Sequence, residues 1–153
     1  MNLISHVFDI QAPPETVFCS LTTADGLSAW WTTKVQGDSA ARGSLFQFMF
    51  RGPFNPQPRI IEIDSPILVV WKGVSGHDAW GATTIRFQLD SVDDSTIVHF
   101  WHQMGPDVSE DGFASANFNW GYYLDSLRLL CETGQGKPYR SGSPDARVGA
   151  STH

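Results

Sequence analysis

The stretch FASANFNWGYYLDSLRLLC, residues 113–131, decides the fold. Within it Phe113, Ala116, Asn117, Trp120, Tyr123, Leu124, Leu127 and Cys131 recur at three- and four-residue steps, the spacing of one face of a long α-helix. Ser109, followed by Glu110 and Asp111, suits its start, because carboxylates favour the positive end of a helix. Gly134 is placed to end it. Asn117 and Trp120 fall on the inward stripe of this helix, with Tyr123 beside them.

Upstream, from about Thr33 to Gln103, the period is two instead. Residues 3–10 already alternate, setting Ile4, His6, Phe8 and Ile10 on one face. Ser44–Arg51 carries Phe46, Phe48 and Phe50 on one side, and Arg59–Asp64 and Ile67–Lys72 are short strands joined at Ser65-Pro66. Gly81–Asp90 alternates through Thr83, Ile85, Phe87 and Leu89; after a turn at Asp93-Asp94, Thr96, Val98, Phe100 and His102 share a face. Gly52–Pro58 reads as a proline-rich hairpin loop, and Gly73, Gly76, His77, Asp78 and Trp80 as another loop. Between the first strand and the rest, Pro14 opens a helix over Glu15–Leu21, and Thr22 or Thr23 caps a second over Ala24–Trp31. The order is one strand, two short helices, about six strands and a long helix. This predicts an α+β domain: a curved antiparallel sheet of about seven strands, rolled by its own twist round the C-terminal helix. A hollow between sheet and helix is expected.

The 153 residues make one domain, taken to end near residue 139, with 140–153 as a flexible tail. All of Gln135–His153 is rich in Gly, Ser and Pro and has little to bury, so mobility is expected throughout it. The net charge is −6 and no Lys or Arg cluster exists, which argues against nucleic acid and anionic membranes as partners. No apolar run reaches the ~18–20 residues of a membrane span, and residues 4–10 do not read as a signal peptide. Cys19 and Cys131 lie in apolar helical patterns and are expected to be reduced, buried thiols of a cytoplasmic protein.

The chain holds six Trp, ten Phe and three Tyr, residues that serve equally in cores and in ligand pockets. Trp30, Trp31, Phe48, Trp71, Phe87, Phe100, Trp120 and Tyr123 are the candidate walls of the hollow, with His6, His102 and Asn117 as polar groups inside it. A histidine on an apolar face is either a hydrogen-bonded core residue or a group that orients a ligand. His99 and His102 are three apart on a strand, face opposite sides and cannot share a metal. No CxxC pair, nucleophile elbow or phosphate loop is present, and neither metal nor cofactor is expected.

This order resembles the START/birch-pollen-allergen-like (SRPBCC) superfamily, and within it the branch of the heat-shock protein 90 ATPase activator homologues. The resemblance is carried by Ala12-Pro13-Pro14-Glu15-Thr16-Val17-Phe18, Trp30-Trp31-Thr32, Gly43-Ser44-Leu45-Phe46, Glu62-Ile63-Asp64-Ser65-Pro66 and Val70-Trp71. It continues in Thr96–His102, in Trp120 with Leu124 and Leu127, and in Glu132-Thr133-Gly134-Gln135-Gly136-Lys137-Pro138. It implies the helix-grip fold over about residues 3–139 and binding of a small hydrophobic or aromatic molecule in an internal cavity. A co-chaperone-like interaction with a protein partner, or a homodimer, is the alternative. A cyclase or dehydratase with His102 as general acid or base is a third.

Overall fold

The alternation at the N-terminus becomes β1 (Leu3–Ile10), with Ile4 and Ile10 buried, His6 and Phe8 half-buried, and Leu3, Ser5, Val7 and Asp9 exposed. The structure is a computed structural model and describes residues 2–37, 41–49, 56–75 and 82–140. Two short helices follow, α1 (Pro14–Thr22) and α2 (Ala24–Trp30). Pro14 occupies the first turn of α1, where its missing N–H costs nothing. The Thr23 side chain caps α2 by accepting from the Gly26 N–H at 2.9 Å.

The described strands after them are β2 (Val35–Gln36), β3 (Gln47–Phe48), β4 (Gln57–Asp64), β5 (Leu68–Ser75), β6 (Thr84–Val92) and β7 (Ser95–Gln103). β1 and four of these strands form a five-stranded antiparallel sheet in the order β1-β7-β6-β5-β4, while β2 pairs with β3. β7 shows why one face is the inside: Thr96, Val98, Phe100 and His102 are buried, while Ile97, His99 and Trp101 between them are partly exposed. The last helix, α3 (Glu110–Thr133), begins at Ser109, whose hydroxyl accepts from the Gly112 N–H. It ends at Gly134, whose φ of 86° is left-handed and suits glycine. Its buried stripe of Ala116, Trp120, Tyr123, Leu124 and Leu127 packs into the core, and α1 and α2 both touch it.

Three expectations are corrected. The strand foreseen over Ser44–Arg51 is a two-residue β3 preceded by a bridge from Leu45 to Arg59. Residues 43–48 instead lie along the outer edge of β4: Phe46 N–H donates to Pro58 O, and Ile60 N–H to Ser44 O. This is how β4 accommodates Pro58, a residue confined to sheet edges and irregular pairs, inside what the sequence suggested was a loop. The second correction is at the C-terminal end. Tyr139 is buried, its N–H donates to Trp31 O, and Lys137 N–H donates to the Ser126 hydroxyl. One aromatic anchor thus holds a segment whose composition looked purely flexible. Third, Cys19 is exposed and Cys131 only half-buried, because both face a groove between helices. Residues 50–55, the loop at 76–81 and the expected tail from Ser141 lie outside the described residues.

Candidate functional site

Of the aromatic residues singled out in the sequence, Trp30, Trp31, Phe48, Trp71, Phe87, Phe100 and Trp120 are brought together as one contiguous ring cluster, with Tyr123 buried in the same core. Trp30, Trp31, Phe48, Trp71, Phe87, Phe100, Trp120 and Tyr123 are each at most 1% exposed. Trp31, at the end of α2, is the hub: its ring centroid lies 4.4 Å from Phe48, 5.1 Å from Trp120, 5.6 Å from Trp30 and 6.1 Å from Trp71. From the sheet, Trp71 meets Phe87 at 5.4 Å, Phe87 meets Phe100 at 5.0 Å, and Phe100 meets Trp120 at 4.6 Å. These separations are those of directly packed aromatic pairs. The rings therefore fill the middle of the space between sheet and helix.

His102 lies at 0% exposure within this cluster. Trp120 Nε1–H donates to His102 Nδ1 at 2.8 Å. An indole N–H can only donate, so Nδ1 carries no proton. His102 Nε2 then donates to Thr83 Oγ1, because the Thr83 hydroxyl proton goes to Gln103 O at 3.0 Å. The chain fixes one neutral tautomer and occupies both ring nitrogens. Burial lowers the pKa of His102 from 6.5 to about 3. This satisfies the histidine as a core residue and leaves neither nitrogen for a substrate. Thr83 was visible only as one more residue on the alternating face; its part in the chain depends on pairing across β6 and β7 that the sequence does not display.

The other polar candidates stand elsewhere. His6 is half-buried and Asn117 exposed, and they meet at 3.0 Å between His6 Nε2 and Asn117 Oδ1, at the seam of β1 and α3. Asn117 sits at the rim of the helix stripe, whose centre runs through Ala116, Trp120 and Tyr123. The two residues do not join His102. One polar atom in the ring cluster stands out: the buried Nε1–H of Trp71 has no acceptor among the described residues.

The described residues form open concavities on the surface, among them two that involve the helices. One, of about 170 Å³, runs between β1 and α3 and is lined by His6, Val7, Phe8, Gly121, Leu124, Asp125 and Arg128. The other, of about 590 Å³, lies between α1, α2 and α3 and includes Cys19 and Cys131. Burial pushes the Cys131 thiol pKa up, and the hydrogen bond with the Ser20 hydroxyl opposes it. Among the described residues no three His, Cys, Asp or Glu side chains gather as metal ligands. No described helix is long and apolar enough to cross a membrane.

Residues 11–132 match the family described as Activator of Hsp90 ATPase homolog 1-like protein. The chain is 33% identical to the Aha1 dimer of Colwellia psychrerythraea, whose solution structure matches with a TM-score of 0.79 over 89% of this chain and 100% of that one. It also resembles protein SSP2350 of Staphylococcus saprophyticus at 17% identity, with a TM-score of 0.72 over 88% of this chain and 95% of that one. CalU16 from Micromonospora echinospora is similar at 17% identity, with a TM-score of 0.68 over 86% and 77%. At these identities the last two comparisons show the fold alone. None of the curated proteins matches the sequence. The helix-grip architecture, the residues matched and the identity over the whole of a solved relative agree: the chain belongs to the Activator of Hsp90 ATPase homolog 1-like family, within the SRPBCC superfamily.

Proposed function

We propose that this domain binds a small apolar or aromatic molecule carrying a hydrogen-bond acceptor, held against the Trp71 indole of the ring cluster. The observation that carries the reading is the Trp71 N–H, buried and without an acceptor among the described residues. A buried donor left unpaired costs about 1–3 kcal/mol, so nearly all such groups in folded proteins find a partner. A guest oxygen would supply one. The surrounding Trp31, Phe48 and Phe87 supply the apolar lining that small-molecule sites use, with few polar groups to set orientation. The free thiols Cys19 and Cys131 support a reducing, cytoplasmic setting.

The test is a thermal-shift screen against aromatic ketones, phenols and medium-chain fatty acids, repeated on Trp71→Phe. A ligand that raises the melting temperature of the natural chain should lose about tenfold in affinity in the variant, the value of one hydrogen bond. A screen without any stabilising compound, or equal affinity in both proteins, would remove the reading. Catalysis at His102 is not proposed, since a general base needs a lone pair within reach of its substrate.

A second reading is self-association. It is favoured by the relative from Colwellia psychrerythraea, which is described as a dimer, and by the exposed Leu3 and Val7 on the edge strand β1. Its test is the mass of the chain in solution as a function of concentration.

A further inference from the structure

We infer that β1 is the edge through which two copies of this chain associate, the two β1 strands pairing antiparallel about a two-fold axis at Ser5. This rests on the self-association reading and adds to it the surface and the register.

The pairing of β1 with β7 fixes which backbone groups face outward. Met104 N–H donates to Asn2 O at 2.8 Å, so Asn2 and Met104 form a hydrogen-bonded pair in the same register as the strands. Such pairs alternate along an antiparallel ladder. Ile4, His6, Phe8 and Ile10 therefore direct their N–H and C=O groups to β7. Leu3, Ser5, Val7 and Asp9 direct theirs away from the sheet, and none of these four takes a backbone partner among the described residues.

Exposed edges are normally blunted by proline, lysine, a bulge or a covering segment. The opposite edge has such devices: β4 contains Pro58, an irregularity between Ile60 and Glu62, and residues 43–48 bonded along it. Among the described residues β1 has none of them, its one charged residue being Asp9 near the end of the strand. It is eight residues long, regular in register, and free of proline, lysine and arginine, with Leu3 41% and Val7 65% exposed.

The occupant follows from self-complementarity. A two-fold axis at Ser5 sets Leu3 opposite the partner's Val7, and Val7 opposite the partner's Leu3, so both exposed apolar residues gain an apolar neighbour. Each copy carries a net charge of −6, which opposes association. At this axis, however, the two Asp9 residues stand eight residues apart, about 27 Å at ~3.4 Å per residue, well beyond the Debye length of roughly 8–10 Å. Moving the axis to Val7 would bring them to about 14 Å and set Leu3 against Gln11. Beside the edge, the groove of about 170 Å³ between β1 and α3 leaves room for a side chain of the incoming strand. Its helix side includes Gly121, where a Cβ would meet nothing within 4 Å.

Sedimentation velocity on the full chain and on Val7→Lys, Ser5→Pro and Ile61→Lys tests the inference, with near-UV circular dichroism to confirm folding. Ser5→Pro removes an outward N–H without taking a bond from β7, a position where edge strands tolerate proline. Ile61, 40% exposed on β4, is the charge control. The expected result is a dimer whose dissociation constant rises about tenfold or more in either β1 variant, since symmetry repeats each loss, and stays unchanged in Ile61→Lys. Amide exchange should show Ser5 and Val7 protected in the dimer only. A dimer that keeps its affinity in both β1 variants would overturn the assignment of the surface while leaving self-association standing. A chain that stays monomeric at every concentration would overturn both.

Discussion

Acid should weaken this protein before its carboxylates titrate, and His102 should be the reason. Protonating His102 would put an Nδ1–H against the Trp120 Nε1–H, two donors facing one another at a 2.8 Å contact, inside a fully buried site. The folded pKa is about 3, against 6.5 for a free imidazole. Between those values the unfolded chain binds a proton that the folded chain refuses, so stability falls as pH falls. The contribution is fully present above pH 6.5 and is lost progressively towards pH 3, with a slope approaching about 1.4 kcal/mol per pH unit. At pH 5 the loss is about 2 kcal/mol, a large part of the 5–15 kcal/mol typical of a domain. With a urea m-value of about 2 kcal/mol per molar, the unfolding midpoint should drop by about 1 M between pH 7.5 and 5. Tryptophan fluorescence in urea series at both pH values measures this directly. In His102→Gln the amide can accept from Trp120 and donate to Thr83 but cannot titrate; its starting stability will be lower and its midpoint nearly level over that range. Equal slopes in the two proteins, or a level midpoint in the natural chain, would refute the reasoning.

Other substitutions probe the frame. Gly121→Ala should stabilise the monomer by about 0.5–1 kcal/mol, because a Cβ meets nothing within 4 Å and alanine is the better helix former. Gly136→Ala should lower the melting temperature, since its Cβ would come within 2.5 Å of the Ala29 carbonyl oxygen; thermal unfolding at low protein concentration compares the two. Thr96→Val removes the buried hydroxyl that donates to Ala12 O at 2.8 Å, orphaning that carbonyl, and should cost about 1–3 kcal/mol by chemical denaturation. Ser109→Ala deletes the cap of α3 and should cost about 1 kcal/mol, with faster amide exchange confined to the first turn of the helix.

Features set by local periodicity were legible in the sequence. β1, the buried face of β7, the caps at Thr23 and Ser109 and the stop at Gly134 each follow from residues within a few positions of one another. Features that depend on what lies across the fold were not. Asn117 is one helical step from Ala116, and only the packing of α3 shows that the stripe turns away from it. The tautomer of His102 needs Trp120 from the helix and Thr83 from just before β6, 18 and 19 residues away along the chain. Tyr139 looked like part of a flexible end because its anchorage depends on Trp31, more than a hundred residues earlier. β4 ran through Pro58 because residues 43–48 accept the edge, a contact that no local pattern announces. The ring residues were recognised individually; that they pack on one another is a property of the assembled core.

The proposed guest accepts from the Trp71 indole, and the indole proton can be watched. In ¹H–¹⁵N correlation spectra of the full chain, titration with aromatic ketones and medium-chain fatty acids should move the Trp71 Nε1–H resonance downfield and saturably for at least one compound. That shift should be absent for an analogue of the same shape without the oxygen. If no compound moves it, or if only the partly exposed Trp101 responds, the indole is a structural member of the core and the domain has no guest there.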